Sequence, residues 1–188
     1  MNDIHTDREA CLSLLKEYTK SESLLKHAFA VETCIKAYAK KFNEDEELWG
    51  IIGLIHDFDY EAYPNDHPMK GSEILAERGV PENIRRIILG HADFTGIPRD
   101  TLAAKTLYAV DELCGFIVAV TLVRPTKSVS EVQVKSVKKK MKDKRFAAKV
   151  NREEIIQGAE QLGIAFDEHV AFVVRSLSGV AGEIGLNP

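Results

Sequence analysis

Leu102-Ala-Ala-Lys-Thr-Leu-Tyr-Ala-Val-Asp-Glu-Leu-Cys-Gly-Phe-Ile-Val-Ala-Val-Thr-Leu-Val123 is the stretch that decides the fold. Read as a helix, it is apolar on nearly every face, which is the pattern of a central, buried element. Asp111 interrupts it. The helical neighbours of that carboxylate are Ala104, Leu107, Tyr108, Cys114, Gly115 and Val118. An ionised carboxylate among such residues is costly to bury unless a cation compensates it. The position therefore predicts a positive partner, and the rest of the chain offers ligands for a metal.

Outward from this segment, the periodicity predicts helices from end to end. Thr6-Asp-Arg-Glu9 and Asn43-Glu-Asp-Glu46 have capping-box form and open helices near 7–18 and 44–57. A long amphipathic helix is expected over 22–41. Pro68 suits the first turn of a helix closing at Gly79, and Pro81 opens another over about 81–92 that carries Ile84, Ile87, Ile88 and His91 on one side. The central helix stops before Arg124-Pro125 and a polar stretch follows. Asn151 then caps a helix ending at Gly163, and a last helix spans about 167–184. No strand alternation or repeat stands out. The expectation is an all-α fold in a single domain, 1–188: a helical bundle core over about 22–125, with extra C-terminal helices over 126–188.

Composition narrows the setting. A net charge of −4 gives no global polyelectrolyte character, so nucleic acid is not expected as a partner. Leu113–Val123 is too short to span a bilayer, so no membrane partner is expected. Cys11, Cys34 and Cys114 lack CxxC spacing and fall on apolar helical faces, which suits small core hydrophobes in a reducing cytoplasm.

Four of the six histidines share a logic. His27 lies mid-helix on the side of Leu24, Ala30, Val31 and Cys34. His56-Asp57 ends an apolar helix, His67 stands at a helix entrance before Pro68, and His91 lies on the face of Ile84, Ile87 and Ile88. Imidazoles and carboxylates at core-facing or helix-end positions are how helical folds build inward metal sites. Each histidine taken alone reads more simply as a satisfied core residue. The ordered set His27…His56-Asp57…His67…His91…Asp111 also accounts for Asp111, which that simpler reading leaves unpaired.

This order resembles the HD superfamily of metal-dependent phosphohydrolases, whose signature is H…HD…D. His67-Pro-Met-Lys-Gly71-Ser-Glu-Ile-Leu75 and Gly90-His91-Ala-Asp-Phe-Thr-Gly96-Ile-Pro98 are similar to the additional histidine motifs of its dinuclear branch. The resemblance covers about residues 22–125. It implies that His27, His56, Asp57 and Asp111 hold a first metal, and that Asp57 bridges to a second held by His67 and His91. Nitrogen and oxygen donors suit two divalent transition ions, Fe or Mn first, with Co, Ni, Zn or Mg as further candidates. The implied activity is hydrolysis of a small phosphoester, in particular a nucleotide, by a hydroxide held between the metals. Asp57 and Lys70 are the expected catalytic residues, Lys70 because it stands one turn from His67. Two alternatives are a non-catalytic nucleotide-binding regulatory module and a di-iron oxygenase of the same superfamily. Tyr60 stands where many relatives have a lysine, and the GYP triad is absent, so cyclic-dinucleotide hydrolysis is not expected.

Lesser signals complete the reading. Arg99 and Arg124 are further candidates to reach a phosphate. Asp59 reads as an acid or base beside the metals or as a turn cap, and Glu112 as an outer hydrogen-bond acceptor or an inter-helix partner. Lys135–Lys149, with eight Lys or Arg against Asp143 alone, reads first as a solvated helix face. A homodimer is compatible with a helical domain of this size.

Overall fold

The computed structural model describes residues 4–186. They form nine α-helices and short 3-10 turns, with no strand among the described residues. The helices are α1 (Arg8–Tyr18), α2 (Glu22–Phe42), α3 (Glu46–Ile55), α4 (Met69–Glu77), α5 (Glu82–Leu89), α6 (Leu102–Leu122), α7 (Val134–Met141), α8 (Arg152–Leu162) and α9 (Phe166–Ser178). The all-α reading holds.

The stretch quoted first becomes α6 and sits at the centre. Thr101 caps it by accepting from the Ala104 amide, and thirteen of its residues are buried. It packs against α2, α5, α7, α8 and α9, so its near-uniform apolarity follows from having neighbours on most sides. α2 lies across α3 and α6 and turns Ala28, Val31, Cys34, Ile35 and Tyr38 into one shared core. All three cysteines are buried, as core hydrophobes should be.

Several boundaries differ from the sequence expectation, each for a local reason. Asp7 rather than Thr6 caps α1, accepting from the Glu9 and Ala10 amides. Asn43 does not open α3. It adopts a left-handed φ of 60° and closes α2, and Asp45 caps α3 through the Leu48 amide. Asparagine tolerates that conformation, so a residue with N-cap chemistry ends a helix here. α5 stops at Leu89, which leaves His91 in the turn beyond the helix instead of on its face. The polar stretch after α6 contains α7, and the last helix ends at Ser178. Asn151 caps α8 as expected, and Gly163 closes it at a left-handed φ of 67°.

Candidate metal centre

The ligands expected from sequence converge, although they come from five places in the chain. α2 supplies His27 and α6 supplies Asp111. The turn leaving α3 supplies His56 and Asp57, the entrance of α4 supplies His67, and the turn after α5 supplies His91. Donor atoms of His27, His56, Asp57 and Asp111 form one set, and those of Asp57, His67 and His91 a second; within each set all lie within 4.8 Å of one another. Asp57 belongs to both. Its Oδ1 stands 3.2 Å from His67 Nε2, 3.2 Å from His91 Nε2 and 3.5 Å from His56 Nε2, and its Oδ2 lies 4.0 Å from His27 Nε2.

The orientation of the rings carries more information than their proximity. His56 Nδ1 donates to Gly53 O at 2.7 Å and His91 Nδ1 donates to Ile88 O at 2.6 Å. His67 Nδ1 donates to Asp59 Oδ1 at 2.8 Å. In each case the partner is acceptor-only, so the ring proton is committed to Nδ1 and a neutral ring presents a bare Nε2 lone pair to the cluster. Those lone pairs face carboxylate oxygens and, for His67 and His91, one another at 3.3 Å. Acceptors pointing at acceptors repel. His56 Nε2 is fully buried and finds no well-directed hydrogen bond, although Asp111 Oδ1 lies at 3.3 Å. A buried imidazole left with an orphaned nitrogen is costly unless a cation or proton takes it. The donor set fits divalent cations: nitrogen and oxygen, no thiolate, and the non-ligating nitrogens of three rings held by outer partners.

Electrostatics tell the same story. Burial works to raise the carboxyl of Asp57, but His56, His67 and His91 outweigh it and hold the acid well below its ordinary range. Asp111 is likewise depressed, burial being overcome by His56 and His27. Burial would lower His67, yet hydrogen bonds to Asp57 and Asp59 raise it to about 9. His56 and His91 are also raised, against burial, by Asp57 and Asp111. The pocket therefore demands positive charge.

Asp59 has a more definite role than sequence allowed. It is 1% exposed and accepts from both His67 Nδ1 and the Gly71 amide, the latter at 2.7 Å. A β-carbon at Gly71 would lie 2.6 Å from the Asp59 carboxyl carbon, so glycine there admits the carboxylate. Asp59 orients a ring; it does not face the cavity.

His27, Asp57, His67, His91 and Asp111 floor a cavity of about 580 Å³, with His56 buried behind them. Its wall includes residues that the sequence reading did not assign to the site. Tyr60 and Phe94 line it with rings 44% and 75% exposed. From the C-terminal part come Lys149, Val150 and Glu154. Glu112 also lines it and accepts from the Asn151 amide at 3.2 Å, tying α6 to the start of α8. Burial, with Asp111 and Glu154, pushes Glu112 up to about 7.

Lys70 is not brought to this cavity. It is not among the residues that line it, and its ammonium pairs with Glu73 at 2.9 Å on an exposed helix face. The expectation rested on helical distance from His67, but the side chain leaves α4 in another direction. Arg99 is committed to Asp93, Gln161 and the Gly90 carbonyl, and it stacks on Tyr108. Arg124 pairs with Glu131. Among the cations weighed, only Lys149 lines the cavity without an ion pair among the described residues. It belongs to the basic segment otherwise read as a solvated face. His169 is a satisfied core histidine, bonded to Ala109 O and the Tyr38 hydroxyl.

Comparison with known proteins gives two findings. Residues 24–115 match the family model of the HD domain. The chain is also similar to a tRNA (cytidine(56)-2'-O)-methyltransferase of Thermoplasma volcanium, 29% identical over 111 residues that cover 54% of this chain and 33% of that protein. The chain thus spans about a third of the length of that relative. No solved structure matches it.

Proposed function

Residues 24–115 are an HD domain, and from that premise we propose that this protein is a metal-dependent phosphohydrolase acting on a small phosphoester. The observation that carries the reading is Asp57, one carboxylate shared by two ligand sets on the floor of a cavity. His27, His56, Asp57 and Asp111 would hold one ion, and Asp57, His67 and His91 the other. Divalent cations there supply a lowered pKa for water and charge stabilisation for a phosphoryl group.

The protein's own part is placement. Gly53 O, Ile88 O and Asp59 fix the tautomers of His56, His91 and His67, so the ligating nitrogens are aimed before any ion or substrate arrives. Lys149 offers a free ammonium to the anionic substrate. Phe94 and Tyr60 present exposed rings on the wall, which supports a nucleotide whose base stacks there. Glu112 is not assigned an acid role, because positive charge brought to Asp111 lowers it again. The similarity to a tRNA methyltransferase brings no methyl transfer to this reading, since the chain covers a third of that protein.

The test is phosphate or nucleotide release from a panel of nucleotides and other phosphoesters by Mn- or Fe-loaded protein in anaerobic buffer. Turnover is expected, with Asp57→Ala at background. Loaded protein that binds nucleotides and releases nothing would instead be a regulatory module. Turnover only in the presence of oxygen would make it an oxidative enzyme.

A further inference from the structure

Apart from Lys149, the basic segment after α6 has no part in the metal centre. Residues 135–149 hold eight Lys or Arg against Asp143 alone, in a protein with 25 basic and 29 acidic residues. The overall charge of −4 conceals this reversal, because the acids lie elsewhere in the chain. A local block of one sign on an oppositely charged protein suits a polyanion. Lys138 pairs with Asp167, and Lys140 lies over the Phe146 ring. Lys135, Lys139, Lys142, Lys144 and Arg145 are exposed, with no ion pair among the described residues.

The turn that carries these charges is held in place. The Arg152 guanidinium donates to the carbonyls of Asp143, Phe146, Ala147 and Val150, the last two at 2.8 and 2.6 Å. Phe146 packs edge-on against Phe116 of α6, with 5.5 Å between ring centres. Lys149 and Val150 then line the metal cavity, and the next amide, that of Asn151, donates to Glu112. A cationic turn is thus fixed at the rim of the cavity by bonds to its own main chain.

The chemistry of the partner follows from what accompanies the charge. Residues 135–149 expose no large apolar side chain, so they have nothing to insert into a bilayer. They lack exposed rings as well, but the adjoining cavity supplies Phe94 and Tyr60 from another part of the chain. Positive charge that tracks a backbone, with rings on which bases stack, is what a single strand requires. We propose that residues 135–149 bind a single strand of nucleic acid, whose terminal nucleotide enters the metal cavity past Lys149. Hydrolysis there adds one water across the terminal phosphodiester, releasing one mononucleotide and a strand shorter by one. Entry of that nucleotide rests on the phosphoester reading above; the binding surface does not.

The experiment is fluorescence anisotropy of a short labelled oligouridine on metal-loaded protein across a range of KCl. Phosphorothioate linkages keep the strand intact during the titration. Log affinity should fall linearly with log salt, by about 0.7 for each phosphate contacted. Lys139→Gln/Lys144→Gln/Arg145→Gln should weaken binding at least about tenfold and flatten the slope by about 2. Lys16→Gln/Lys20→Gln/Lys40→Gln removes as much charge from exposed positions elsewhere and should leave slope and affinity as in wild type. Should the first triple variant fail to fold, Lys144→Gln alone must still flatten the slope by about 0.7. Equal weakening by the second triple variant overturns the surface. Polyglutamate or phosphatidylserine vesicles bound as tightly as the strand, at equal charge, overturn nucleic acid as the partner. No binding of the strand overturns the surface and leaves the phosphoester reading standing. With ordinary linkages, a strand bound but not shortened by protein that hydrolyses mononucleotides overturns entry into the cavity. A strand bound by protein that hydrolyses neither upholds the surface and removes the chemistry.

Discussion

Replacing Asp59 by asparagine isolates the aiming of one ligand from the ligand itself. The carboxylate accepts two hydrogen bonds, from His67 Nδ1 at 2.8 Å and from the Gly71 amide at 2.7 Å, and it is 1% exposed. Asparagine has nearly the same volume but only one acceptor oxygen, so one of the two donors must face an NH2 group. If Gly71 keeps the oxygen, the amide faces His67 Nδ1 and drives the ring proton to Nε2, the nitrogen that Asp57 and His91 surround. If His67 keeps it, the Gly71 amide is buried without a partner, a cost of about 1–3 kcal/mol. Loss of such an outer partner typically lowers metal affinity about 10–100-fold, equivalent to roughly 1.4–2.8 kcal/mol. The loss should fall on the ion held by Asp57, His67 and His91 alone. Competition against a chelator, followed by elemental analysis, should show one tight equivalent unchanged and one weakened. Two equivalents bound with wild-type affinity in Asp59→Asn would refute the argument that His67 is oriented through its Nδ1 proton.

Asp111→Asn removes one of the two cluster charges at almost constant volume and should weaken the ion held with His27 and His56; a variant more stable than wild type with full metal content would make Asp111 an ordinary buried acid. Lys70→Ala should leave metal content and turnover within about twofold of wild type, because its ammonium pairs with Glu73 away from the cavity; a large loss of kcat would return it to the site. Metal-free protein should respond to pH through His67. Its folded value of about 9 lies above the unfolded value near 6.5, so the stabilisation, on the order of 3 kcal/mol, is complete below about pH 6.5 and disappears as pH rises through 9. The depressed Asp57 acts at the other end, its contribution being present above about pH 4 and lost in stronger acid. Ion binding must displace the His67 proton, so the gap in Tm between loaded and chelated protein should widen from pH 6 to 9. Melts with a pH-independent gap would contradict this.

Much of the site was legible because its signals are unusual in sequence. Asp111 stands out in an otherwise apolar helix, and the imidazoles recur at helix ends and on core faces. What escaped depends on direction and distance in space. His91 was placed on the face of α5, but the helix stops at Leu89, and the ring lies beyond it, held by the Ile88 carbonyl. Lys70 was drawn in by its position along the chain, which does not fix where a long side chain points. Asn43 carried N-cap chemistry and ended a helix, since asparagine also tolerates the positive φ that a C-terminal cap adopts. Lys149 and Glu154 lie roughly forty residues beyond Asp111 and reach the cavity only because α8 packs on α6. No local pattern announces a contact of that kind.

That contact has its own consequence. Gly158 sets α8 so tightly on Ala109 that even one methyl would collide with the main chain of α6. Ala109 lies two positions before Asp111, and Gly158 one turn after Glu154. Floor and flank of the cavity are thus keyed together by backbone, as a dovetail joint fixes two boards, and any larger residue at 158 would push α8 away from its neighbour. The gauge of the cavity on that flank is written at position 158, by a residue that never meets a ligand.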